Sequence, residues 1–167
     1  MDTNLKIRVG TPADVHDVME LALMGSAENG FVSPSAPRIL HEVWAGLNRD
    51  HGILGLIGPA EGGKPQGAIL LRITVPWYSD APVLEERAIF IHPEYRSAKG
   101  GRAARLCEFS KLAADKLGLP LMIGVLSNQR TEAKVRLYER QFGAPAGAYF
   151  LYNARTGGAV EADTTAG

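Results

Sequence analysis

The chain has 167 residues, 46% of them apolar, enough to bury one ordinary core without disulfide or metal staples. Lysine plus arginine (18) balance aspartate plus glutamate (18), which excludes a net field drawing the whole molecule to nucleic acid or to an anionic membrane. Cys107 is the single cysteine, so no intrachain disulfide can form. The first residues lack the basic-then-apolar pattern of a signal peptide, and no apolar run reaches the roughly 18–20 residues of a membrane span, so a cytoplasmic location is expected.

Residues 5–9 (LKIRV) alternate apolar and polar, the pattern of a half-buried strand. Thr11, Pro12 and Asp14 then give a helix cap, a first-turn proline and capping-box spacing, and Val15, Val18, Met19 and Ala22 supply a helical stripe that is expected to fade near Gly25. Residues 26–37, with Gly30, Pro34 and Pro37, read as a loop. A second helix is predicted over 37–49, with Ile39, Leu40, Val43, Trp44 and Leu47 on one side.

Residues 52–58 (GILGLIG) and 67–75 (GAILLRITV) predict a hairpin of apolar strands around the turn at 62–65. A loop at 76–82 leads into a long strand over 83–92, closed by Pro93. Helix signals resume at Gly101 and stop at Gly118, with Leu106, Phe109 (or Cys107 with Ser110), Ala113 and Leu117 as the buried stripe. Cys107 therefore reads as core rather than as a nucleophile. A buried strand over 120–126 (PLMIGVL), a helix over 131–142 and a last strand over 147–153 (GAYFLYN) complete one domain spanning 1–153, and the tail 154–167 is expected to be disordered. The order predicts an α+β fold in three layers, a mixed sheet with helices on both faces. His16, His41 and His51 lack metal-ligand spacing, and no metal is expected.

The stretch that carries chemistry is 89–106, IFIHPEYRSAKGGRAARL, in which a strand ends at a proline and a short basic loop opens a helix. The first turn of a helix has amides without partners, and its dipole adds partial positive charge, so a diphosphate fits there. Gly100 and Gly101 allow close approach of a ligand to the backbone, and Arg96, Lys99, Arg102 and Arg105 add cationic side chains. The plain alternative is a surface loop whose glycines serve only the turn and whose basic residues are solvated.

The run IHPEYRSAKGGRAARL resembles the coenzyme A loop of the GNAT acetyltransferase superfamily, with Pro93, Tyr95, Arg96, Gly101 and Arg102-Ala103 in register. Lys99 departs from the pattern, standing where the family has a first glycine, and Gly100 follows it. A second likeness lies at 131–143 (TEAKVRLYERQFG), similar to a later family helix that often ends in Leu-Tyr-Glu-x-x-Gly-Phe. The family's asparagine seven residues before the tyrosine is replaced by Thr131, with Asn128 nearby to cover part of its role.

The resemblance implies a mainly antiparallel sheet of six or seven strands, splayed at its centre, with about four helices. It implies acetyl-coenzyme A as the acyl donor and an amine as the acceptor. Free amides of Ile89 and Ile91, with Phe90 as the neighbouring register, would hold the pantetheine arm and the acetyl oxygen. The diphosphate would lie on the amides of Ser97, Ala98, Lys99, Gly100, Gly101 and Arg102, with Arg96 contacting it by side chain. Tyr138 takes the place of the family's general acid, whose plain alternative is a packing tyrosine.

Glu85 and Glu86 stand where the family often places a glutamate. Adjacent strand residues face opposite sides, so at most one enters the cleft as the base, and Glu85 is taken first. Trp44, Trp77 and Tyr78 either shape the acceptor pocket or cover the core. The expected reaction is direct attack of a small-molecule or peptide amine on the thioester, since no nucleophile for a covalent intermediate is evident. Another acyl-coenzyme A, a hydroxyl acceptor, or a non-catalytic coenzyme A sensor stay open, as does a homodimer; no nucleic acid or membrane partner is expected.

Overall fold

The structure, a computed structural model, describes residues 4–96, 98–127 and 130–154. Five strands form one sheet in the order β1 (Leu5–Val9), β2 (Gly52–Pro59), β3 (Gly67–Thr74), β4 (Val83–Ile91) and β5 (Leu121–Met122). Neighbours from β1 to β4 run antiparallel, and β5 lies parallel to β4. The helices are α1 (Val15–Asn29), α2 (Ala36–Leu47), α3 (Arg102–Leu117) and α4 (Thr131–Phe142). None of the helices in the described residues is long and apolar enough to cross a membrane.

The alternation of side chains along β2 and β3 divides the core in two. On one face Leu54, Leu56, Ala68 and Leu70 pack against Val18 and Leu21 of α1 and Val43 and Leu47 of α2. On the other, Ile57, Ile69, Leu71 and Leu84 pack against Leu106 and Ala114 of α3. The fold is thus the three-layer α+β arrangement expected from the element order.

Three expectations are corrected. The helix begun at Val15 does not fade at Gly25 but runs to Asn29 and stops at Gly30, which takes the left-handed conformation at φ 64°. Gly25 serves packing instead, because a Cβ there would meet the Phe90 ring at 2.9 Å. The strand expected over 120–126 is reduced to Leu121–Met122, and residues 147–153 form no strand, which leaves five strands among the described residues rather than six or seven. Both segments have the apolar composition of strands, but a strand also needs an edge to pair with. Leu40 and Trp44 are exposed, so the buried side of α2 is narrower than its apolar residues suggest. Most of the tail expected to be disordered (155–167) lies outside the described residues.

Candidate active site

Strand β4 carries the two features that open a site. Leu71 pairs with Glu86 and Leu70 with Ala88, so Arg87 is an extra residue on β4, a β-bulge that re-aims its neighbours. On the other side of β4, pairing with β5 is confined to Leu84–Leu121 and Glu85–Met122. Beyond Glu85 that edge of β4 is unpaired among the described residues, so the two chains diverge into an opening.

The hydrogen-bond phase of β4 fixes which amides face this opening. His92 donates its N–H to the Gln66 carbonyl at 2.8 Å, towards β3. Successive strand amides point in opposite directions, so those of Ala88 and Phe90 also face β3 and those of Ile89 and Ile91 face the opening. The Ile91 carbonyl points the same way and accepts from Arg96 Nε at 3.0 Å. The side chains of Ile89 and Ile91 pack on the α3 face, while Phe90 packs on the α1 face.

The two candidate carboxylates part company here. Glu85 lies on the α1–α2 face, accepting from Thr74 Oγ1 at 2.9 Å and from Arg87 Nη1 at 3.3 Å. Glu42 extends that network, with ion pairs of 3.8 Å to Arg72 and 3.9 Å to Arg87. Glu86 faces α3 and α4, and its Oε2 accepts from the Gly124 amide across the opening at 3.4 Å. Burial raises the Glu86 carboxyl to about 7, against the opposing pull of the Gly124 amide and of Lys134, with a small addition from Glu85.

Tyr138 of α4 lies in the field of the Glu86 carboxylate. Only 8% of Tyr138 is exposed, and its hydroxyl is buried with no hydrogen-bond partner among the described residues. Burial, then the Glu86 carboxylate, then Cys107 push the phenol above its ordinary range, so it stays protonated. One helical turn earlier, Lys134 is half-buried; desolvation lowers its ammonium pKa and Glu86 opposes that. Sequence reasoning missed Lys134, although its spacing of four residues from Tyr138 puts both on one helix face.

At the end of β4 a short 3₁₀ turn (Pro93–Tyr95) leads to the loop before α3. Gly100 and Gly101 hold φ values of 129° and 59°, a region that side chains disfavour. Among the described residues no side-chain hydrogen bond caps α3, and the Arg105 amide donates to the Gly101 carbonyl at 2.9 Å. Lys99 is exposed beside this turn.

The cations around the loop do not all serve it as expected. Arg102 is only 3% exposed, and its guanidinium donates to Gln66 Oε1 at 2.8 Å and to the Lys99 carbonyl at 3.0 Å, over the Tyr95 ring. Arg105 donates to the Leu5 carbonyl at 3.1 Å. The Arg102 side chain braces the loop from within, because a buried guanidinium needs fixed acceptors, whereas Arg105 ties the first turn of α3 to β1. Arg96 is bidentate on Glu28 of α1, at 2.6 and 2.5 Å, and holds that carboxylate below its usual range. Gln66, buried at the start of β3, was missed by sequence reasoning; a lone glutamine after Pro65 carries no signal.

Cys107 is fully buried, and desolvation raises its thiol to about 12, in keeping with a core residue. Trp77 is 96% exposed and Tyr78 lies edge-on to it, so these two do not cover the core. Thr131 donates to the Ser127 carbonyl at 2.5 Å at the start of α4. Ser97 and Asn128 lie outside the described residues.

This fold is that of the GNAT acetyltransferases. The chain superposes on the aminoglycoside N-acetyltransferase AAC(6')-Iy in complex with coenzyme A with a TM-score of 0.69, at 16% identity over 93% of this chain and 97% of the other. It matches an integron cassette protein from the mobile metagenome of Cole Harbour Salt Marsh at a TM-score of 0.66, with 22% identity over 89% of each chain. The aminoglycoside 6'-N-acetyltransferase AAC(6')-Ih from Acinetobacter baumannii gives 0.63 at 14% identity over 92% of this chain and 99% of the other. No protein-family model matches the sequence, and no curated protein matches it.

Proposed function

We propose that the protein transfers an acetyl group from acetyl-coenzyme A to a primary amine, by direct attack within a ternary complex. The observation that carries this reading is the buried hydroxyl of Tyr138, without a hydrogen-bond partner among the described residues and in the field of the Glu86 carboxylate. A packing tyrosine of this burial ordinarily satisfies its hydroxyl, whereas a leaving thiolate would satisfy this one. The uncapped turn at Gly101 supports the same reading, since it suits a diphosphate at the far end of the same substrate.

The amine nitrogen bonds to the thioester carbon and sheds a proton to Glu86, directly or through water. The amides of Ile89 and Ile91 bear on the acyl oxygen as negative charge develops there. The C–S bond then breaks, its electron pair goes to sulfur, and Tyr138 gives the thiolate a proton. Neutralising Glu86 removes one of the charges that disfavour tyrosinate, so the first transfer eases the second. The proton on Glu86 then restores the phenol, and the products are amide and free thiol. Lys99 and the loop amides hold the phosphates, with Arg102 bracing that loop from within and Arg96 held by Glu28 and the Ile91 carbonyl.

The test is thiol release from acetyl-coenzyme A in the presence of amines, including aminoglycosides, polyamines, amino acids and peptide N-termini. Turnover with at least one amine, and binding of coenzyme A without one, are the expected results. Failure to bind coenzyme A would remove the proposal, and binding with no turnover across the panel would leave a sensor in its place.

A further inference from the structure

Arg96 joins three parts of the fold. Its Nε donates to the Ile91 carbonyl at 3.0 Å, its two terminal nitrogens grip the Glu28 carboxylate, and its guanidinium lies 5.0 Å from the centre of the Phe90 ring. Only 17% of the side chain is exposed. Phe90 in turn fills the space that Gly25 leaves on α1. Gly25 and Glu28 are three residues apart and share a helix face. The end of β4, the start of the loop before α3 and the last turns of α1 are thereby clasped together.

The ionic half of this clasp can open without the apolar half. Glu28 stands in the last turn of α1, where the helix dipole disfavours a carboxylate, so its place there depends on neighbouring cations. Arg96 is the main one, but Lys134 and Arg130 also hold Glu28 below its usual range. Glu28 therefore keeps positive neighbours, and access to water at 46% exposure, when Arg96 turns away. The contact of Phe90 with Gly25 needs no charge and holds α1 on β4 in either state.

The position of Arg96 sets it against a donor. The Ile91 carbonyl faces the opening, beside the amides that face it from Ile89 and Ile91, and Arg96 occupies that carbonyl. Arg96 also belongs to the same short loop as Gly100 and Gly101. A guanidinium fork matches a phosphate as well as it matches a carboxylate, and a diphosphate brings more negative charge than Glu28 does.

We infer that Glu28 is a positioning residue that competes with the diphosphate of the donor for Arg96. Without donor, Glu28 holds the guanidinium on the Ile91 carbonyl. With donor bound, the guanidinium turns to the phosphates and leaves that carbonyl to the pantetheine arm. The inference rests on the coenzyme A reading above and adds to it that a carboxylate of α1 sets the donor affinity.

Isothermal titration of coenzyme A into the full chain tests this. Glu28→Gln keeps the shape of the side chain and removes its charge, and should bind coenzyme A about fivefold more tightly than wild type. Its affinity should also fall more steeply as salt is raised. In the variant an ion pair forms outright on binding, whereas in wild type one pair is exchanged for another. A residue that merely braced α1 would not change that dependence. In an Arg96→Gln background, Glu28→Gln should add nothing. Equal or weaker binding by Glu28→Gln, a salt dependence no steeper than wild type's, or the same gain without Arg96 overturns the inference. If Arg96→Gln does not fold, the salt dependence of Glu28→Gln decides alone. If neither wild type nor Glu28→Gln binds coenzyme A, the donor reading falls and the competition with it; if both bind alike, only the competition falls.

Discussion

The Tyr138 phenol lies in the field of the Glu86 carboxylate, buried, and without a hydrogen-bond partner among the described residues. Tyr138 comes from α4 and Glu86 from the strand before α3, so only the completed fold brings them together. A buried hydroxyl left unsatisfied costs stability, and here that cost sits at the point where the proposed reaction needs a donor.

Tyr138→Phe therefore separates function from folding. Turnover should fall by about 10²-fold or more, the usual contribution of a positioned acid, while the affinity for acetyl-coenzyme A stays near wild type. Stability should hold or rise by about 1 kcal/mol, because the substitution removes an unsatisfied polar atom and keeps the ring. Steady-state kinetics with thermal melting reads both. Unchanged turnover would make Tyr138 a packing residue.

Glu86 yields a prediction with a definite sign. Its folded pKa is raised from 4.5 to about 7, chiefly by burial, so between those values the folded state binds more protons than the unfolded state. Stability from this group is present below the unfolded pKa and falls as pH rises through about 7, by an amount on the order of 3 kcal/mol. Glu86→Gln should flatten that slope in a melting series and be the more stable of the two at pH 8. If Glu86 is the base, the wild-type kcat/KM should rise with pH through a limb near 7 that the glutamine variant lacks. Loss of that limb in Glu85→Gln, with Glu86→Gln unaffected, would transfer the role to Glu85.

That choice of carboxylate marks where the sequence stopped being legible. Adjacent strand positions must face opposite ways, but which way depends on the register with β3 and on the bulge at Arg87, and neither leaves a trace in composition. The strand, loop and helix from 83 to 117 were readable because a proline, two glycines and an apolar stripe each impose a local conformation. The direction of Arg102 was not, since a basic residue near a phosphate-sized loop looks the same whether it faces solvent or Gln66. Gly25 misled for a related reason: its absent side chain makes room for Phe90 and does not end a helix. Residues 147–153 carry a strand pattern whose pairing partner is not supplied by the described chain.

Arg102 should behave as a brace. Arg102→Ala removes a buried guanidinium and leaves Gln66 Oε1 without that donor, at a cost of about 2–4 kcal/mol. Coenzyme A affinity should fall with it, because the Lys99 carbonyl loses the bond that fixes the loop. Arg102→Lys should not restore either property, since an ammonium cannot reach both acceptors in the plane of a guanidinium. Lys99→Ala, at an exposed position, should leave the melting temperature unchanged. Equal destabilisation by the two alanine variants would remove the distinction.

Gly101 tests the phosphate end of the site by separating shape from charge. It holds φ 59°, and nothing lies within 4 Å of where a Cβ would stand, so alanine there carries only the backbone cost of the left-handed conformation, about 1–2 kcal/mol. Asparagine tolerates that conformation and can cap the α3 amides without a net charge; aspartate does the same with one. Gly101→Asn should therefore weaken coenzyme A binding modestly, by competing for the amides. Gly101→Asp should weaken it by about tenfold further, because a fixed carboxylate meets the phosphates, and that extra loss should shrink as salt is raised. Isothermal titration of the three variants at two ionic strengths measures all of this. If the aspartate variant binds as tightly as the asparagine variant at low salt, the phosphates do not lie on this turn.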